Sequence, residues 1–235
     1  MKSVLTVVAV LTAILVSSTV YGAVYAQPSL PNWSSDRGYT SQFWDFHWTG
    51  NVDSLGNHTE PGQPLAPDNY SNNPYGTASA SWFNNEAGTV GWTDVIPGSH
   101  PSWAAGAYGG NTGSSSAPLT LTVPTGPEVG SLLVYVQYDW YHYKSAAFGD
   151  SFAVLTIAGA TDVTSSYGYT DAVIGVSGSG KQWLRSTKVF EFTDNPGYLT
   201  AVLSLTGFAP VVDSLSVTTA GCLSRQRLRL CLSEL

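Results

Sequence analysis

The chain has 235 residues, of which only 11% are charged and 43% hydrophobic, and its formal net charge is −7. That length can bury a proper core, and 8 Trp with 13 Tyr give it the apolar surface that disordered chains lack. Between Gln27 and Ala220 fifteen acidic residues stand against five basic ones, with no basic stripe, which argues against nucleic acid and anionic membrane as partners.

The chain opens on Met1-Lys2, one positive charge, followed by an apolar run from Val4 to Val16 and small residues ending in Val24-Tyr25-Ala26. This pattern predicts a secretory signal peptide over residues 1–26, with the mature protein starting at Gln27. The body, 27–220, then reads as one domain without a cysteine, although export would permit disulfides.

From Pro28 to Pro127 turn signals dominate: Pro61-Gly62, Asn73-Pro74-Tyr75-Gly76, Pro97-Gly98 and Gly109-Gly110-Asn111. Short aromatic stretches between them ("SQFWDFHW", "ASASWFN", "VGWTDVI") read as short strands joined by long loops. "PLTLTVP", Pro118 to Pro124, alternates as a half-buried strand does. After it come "LLVYVQYDWYHY", "FAVLTIA", "DAVIGVS", "WLRSTKVFEF", "YLTAVLSLT" and "VVDSLSVT", evenly spaced and punctuated by Gly, Asn or Pro. No stretch has a helical apolar period with caps. The expected fold is all-β, an antiparallel β-sandwich of jelly-roll type with long N-terminal loops.

Alternation assigns faces within these strands. Leu199, Ala201, Leu203 and Leu205 share a core face, with Thr200, Ser204 and Thr206 opposite. Leu132, Val134, Val136, Tyr138 and Trp140 form another core face. Their opposite side carries Leu133, Tyr135, Gln137, Asp139, Tyr141 and Tyr143. Tyr135, Gln137, Asp139, Tyr141 and Tyr143 are therefore the candidate ligand platform: rings to stack on sugars, an amide and a carboxylate to hold hydroxyls. The competing reading places this face beneath the N-terminal loops, each tyrosine hydroxyl finding a partner there. Strict alternation also sets Asp213 beside Val211 and Leu215. Either a β-bulge at Asp213-Ser214 turns the carboxylate outward, or Asp213 is a buried calcium ligand, the one weak metal candidate in the chain.

Catalytic patterns are thin. His47, His58, His100 and His142 are scattered, Gly175-Val176-Ser177-Gly178-Ser179 lacks the last glycine of a nucleophile elbow, and Glu60, Glu86, Glu128 and Glu191 have no pairing logic beyond acidity. A non-catalytic surface or matrix protein is the leading expectation, with a carbohydrate-binding module or a glycan-active enzyme as alternatives and polysaccharide as the expected partner.

The tail 221–235 differs from the body: both cysteines, Cys222 and Cys231, lie there with Arg225, Arg227 and Arg229. Read one base out of register, the codons of Gly221–Cys231 permit Val-Pro-Glu-Pro-Ser-Thr-Leu-Ala-Leu-Val. In that frame the tail resembles a PEP-CTERM sorting signal, the tag of exosortase substrates, at the position such a tag occupies after the last strand. The "NPYG" turn at Asn73–Gly76 and the Trp-rich N-terminal half are also similar to exported proteins of that kind. The resemblance implies a Gram-negative exporter and delivery to the cell surface or extracellular matrix; it implies an address and no particular activity. A genuine basic peptide, with Cys222 and Cys231 paired or reactive, is the other reading of the same residues.

Overall fold

A computed structural model describes residues 39–45, 66–68, 72–82, 90–93, 102–105, 117–126, 130–144, 149–176, 181–207 and 211–222. The expected signal peptide, most of the tail and the turns at 61–62, 97–98 and 109–111 lie outside them. The described residues form strands β1 (Thr40–Asp45), β2 (Ser79–Trp82), β3 (Val90–Thr93), β4 (Ser102–Ala105), β5 (Ala117–Pro124) and β6 (Ser131–His142). They continue with β7 (Phe152–Ile157), β8 (Thr161–Asp162), a 3-10 turn (Thr164–Tyr167), β9 (Ala172–Val176), β10 (Gln182–Phe192), β11 (Tyr198–Thr206) and β12 (Val211–Cys222).

All pairings are antiparallel, and they build two sheets. The larger runs β3-β4-β12-β6-β10-β8, with β1 also on β12 and β9 also on β10; the smaller runs β2-β5-β11-β7. The pairs nest from the outside inward, β1 with β12, β5 with β11, β6 with β10, as the chain steps from sheet to sheet. That winding is the jelly roll, with the β-rich composition as its local cause and the two alternating faces as its global one.

The core between the sheets is built from the predicted rows. Leu132, Val134, Val136, Tyr138 and Trp140 of β6 pack with Phe190 and Phe192 of β10 and Leu215 and Val217 of β12. Leu199, Ala201, Leu203 and Leu205 of β11 and Leu119, Leu121 and Val123 of β5 close it from the other sheet. Each of the larger aliphatic side chains contributes about 1.5–3 kcal/mol by leaving water. The polar ends of the core aromatics are satisfied: Trp140 Nε1 donates to Ser186 Oγ at 2.9 Å. Burial holds the Tyr138 hydroxyl far above its ordinary pKa, the Ser186 hydrogen bond pulling against it.

The expected bulge in the last strand is present, since the β12–β6 register shifts between Val212 and Ser214. Asp213 is nonetheless buried, at 1% exposure, as are its outer-face neighbours Ser214 and Ser216. The bulge takes it out of the Val212–Leu215–Val217 row without bringing it to water. The last strand also reaches past the expected domain end. The strand does not stop at Ala220; Gly221 pairs with Leu132 and Cys222 with Ser131. Leu228 and Leu230 of the tail lie outside the described residues.

The "NPYG" turn clasps the end of β5. Asn73 Nδ2 donates to Pro124 O at 2.9 Å while Asn73 Oδ1 accepts from Tyr75 N at 3.0 Å. This side-chain turn sets the Tyr75 ring against Gly126, where a Cβ would meet the ring at 2.7 Å and where φ is +81°. Only glycine suits both demands.

Candidate functional site: the outer face of β6, β10 and β12

Strand β6 lies between β10 and β12, so its outward side chains form the middle of three-residue rows. Tyr141 stands across from Trp183. Asp139 sits between Arg185 and Ser214, Gln137 between Thr187 and Ser216, and Tyr135 between Val189 and Thr218. The outer face of a sandwich ordinarily faces water. Here it does not: Tyr135, Gln137, Asp139, Tyr141, Trp183, Thr187, Val189, Ser214, Ser216 and Thr218 are all buried.

Described side chains account for the cover at both ends. Tyr39, Val163, Tyr167 and Tyr169 pack on Leu133, Tyr135, Val189 and Ala220. The segment carrying three of them is pinned where Asp162 Oδ1 accepts from Thr164 N at 2.8 Å and Thr164 Oγ1 from Val189 N at 3.0 Å. Tyr169 meets the Tyr135 ring edge-on at 5.8 Å between centroids and stacks on Tyr167 at 6.2 Å. At the other end Tyr143 and Ile174 pack on Tyr141 and Trp183, whose rings lie 5.1 Å apart. Lys181 Nζ stands 3.7 Å above the Tyr143 ring.

Between these aromatic ends lies a polar inlay. Arg185 donates from Nε to Asp139 Oδ1 at 2.7 Å and from Nη2 to Oδ2 at 2.6 Å, a bidentate pair with Asp139 at 1% and Arg185 at 16% side-chain exposure. Burial outweighs this pairing on the acid's side and pushes the Asp139 carboxyl above its ordinary pKa, the Arg185 and Ser214 hydrogen bonds pulling it down. The hydrogen bonds to Asp139 in turn raise Arg185, burial pulling against them. Gln137 Nε2 donates to Tyr135 Oη at 3.1 Å and to Thr187 Oγ1 at 3.0 Å. Three polar atoms of this face have no partner among the described residues: Gln137 Oε1, Trp183 Nε1 and Thr218 Oγ1. The fourth such atom among the described residues, Gln42 Nε2, lies on the core side of β1. Each buried orphan costs about 1–3 kcal/mol, so three on one face call for an explanation.

The five platform residues thus share one face, as alternation predicts, but the platform is not an open shelf. Tyr135, Gln137, Asp139 and Tyr141 are buried, and only Tyr143 is half-buried. Their rings are engaged by neighbouring side chains. Sequence reasoning missed Trp183, Arg185, Thr187 and Thr218, although "WLRSTKVFEF" places the first three on one face by the same alternation. Asp213 gathers no metal set: among the described residues no three His, Cys, Asp or Glu side chains converge.

No known protein family, curated protein or solved structure matches this chain.

Proposed function

We propose that this chain is an exported, non-catalytic jelly-roll protein of a Gram-negative cell surface or extracellular matrix, with a structural or adhesive role. The observation that carries the reading is the leader pattern of Met1–Ala26 ahead of an acidic, antiparallel all-β body. The buried carboxylate Asp139 is held by Arg185, and the described histidine, His142, packs against the Trp140 ring at 5.3 Å. The tail's out-of-register likeness to a sorting signal supports the same address. Cell fractionation of the host tests it: the protein belongs in the outer-surface or matrix fraction, and recovery from the cytoplasm would overturn the reading.

One observation favours carbohydrate binding as a second reading. Gln137 Oε1, Thr218 Oγ1 and Trp183 Nε1 are an acceptor, a hydroxyl and a donor without partners among the described residues, the polar equipment that holds a sugar, which would reach them by displacing the side chains that cover this face. Affinity electrophoresis in neutral polysaccharide gels tests it. Trp183→Phe keeps the ring and removes the N–H, so retention should fall at least threefold with the fold intact. Equal migration of the parent chain with and without polysaccharide would sink it.

A further inference from the structure

Strand β7 pairs with β11 along one side only, from Phe152 opposite Thr206 to Ile157 opposite Ala201. Among the described residues nothing pairs with its other side, where alternate main-chain N–H and C=O groups point outward. Sheet edges of this kind are usually blunted by charge, proline, a bulge or shortness. The other described edges show such devices. Strand β8 is two residues long and carries Asp162, and β9 has a register shift against β10. Strands β2 and β3 are four residues each. Strand β7, "FAVLTI", has six residues, a regular register, no proline and no charge. It also exposes Phe152 at 55% and Val154 at 54%.

We infer that β7 is a self-association edge, which a second copy of this chain completes by antiparallel pairing, β7 on β7. A contact that keeps both outer faces on one side must pair residues of like parity, because side chains alternate. With a two-fold axis at Val154, Val154 meets its own copy and Phe152 meets the copy's Thr156, while Ala153 meets Leu155 beneath. Charge allows this contact. Two copies carrying −7 each repel over most of their surface, yet this register sets the exposed Asp150 against Ala158 and not against another acid. The neighbouring outward residues of β11, Val202, Ser204 and Thr206, are uncharged as well. The two small sheets would then run on as one. This pairing goes beyond the proposed address and stands without it, since export could fail while the edge still paired.

Sedimentation velocity of the full chain under reducing conditions, which keep Cys222 and Cys231 from linking copies, tests the edge. A single short edge is smaller than a standard interface, so the series should reach roughly 100 μM. The parent chain should shift to dimer with concentration. Val154→Lys sets like charges across the axis and should weaken dimerisation at least tenfold at an unchanged melting temperature. Thr200→Lys, on the same face beyond the end of β7, should dimerise like the parent. Amide exchange within β7 gives a readout independent of any variant: its outward amides should slow as concentration rises. A parent chain that stays monomeric across the series, or β7 exchange independent of concentration, would overturn the proposal.

Discussion

Replacing Asp139 by Ala takes from the Arg185 guanidinium its bidentate carboxylate partner on a buried sheet. The cost follows from the geometry. Two hydrogen bonds of 2.7 and 2.6 Å are lost, and the cation left behind has only 16% of its side chain in contact with water. Removing one partner of a buried pair costs about 3–5 kcal/mol; the residual exposure of Arg185 lets water recover part, so about 3 kcal/mol is expected. For a domain of about this size each kcal/mol lowers the melting temperature by about 2–4 °C, giving a fall of about 6–12 °C. The double variant Asp139→Leu with Arg185→Met should behave differently. Burial already disfavours the Asp139 carboxylate more than Arg185 favours it, so exchanging both ions for apolar groups should land within about 1 kcal/mol of the parent, or above it. Urea unfolding followed by tryptophan fluorescence, with thermal unfolding by circular dichroism, measures all three. A single variant within about 1 kcal/mol of the parent, or a double variant no better than the single, would refute the reasoning.

Gly126→Ala should lower the urea midpoint by the equivalent of about 1–2 kcal/mol, because a left-handed alanine must also displace the Tyr75 ring; an unchanged midpoint would mean the clasp carries no strain. Leu203→Ala, fully buried in the central strand of the small sheet, should cost about 2–5 kcal/mol by the same unfolding assay. His142 has its pKa lowered, first by burial and then by Lys144. Its folded form therefore resists the proton more than its unfolded form, and the stability it contributes is present above the ordinary value of about 6.5 and fades as pH falls through the lowered one. Unfolding midpoints measured across that window should rise with pH in the parent, and His142→Gln should flatten the rise.

Alternation made both faces of β6 and the core face of β11 legible, because a period of two reports which side chains turn together. The bulge was legible for the same reason: strict alternation would set Asp213 beside Leu215, and the register shift between Val212 and Ser214 resolves that clash. What alternation cannot report is which strand lies beside which. The Asp139–Arg185 pair joins residues 46 apart, and its register depends on β10 lying against β6, a non-local fact. Burial of the second face was illegible for a related reason. Tyr135, Gln137 and Tyr141 read as a polar aromatic surface, and only the fold of Val163–Tyr169 back across β10 shows that part of this surface is covered. That segment, "VTSSYGY", has the composition of a loop; its docking rests on the Thr164–Val189 hydrogen bonds, which no periodicity encodes. The end of β12 was hidden by the change of composition at Gly221, since backbone pairing with Ser131 and Leu132 does not depend on side-chain type.

The proposed address is tested most directly by the N-terminal sequence of the protein recovered from the outer-surface or matrix fraction of its host. A chain beginning at Gln27 is the predicted result, since a leader ending at Ala26 is removed on export. A chain still beginning at Met1 and confined to the cytoplasm would contradict it.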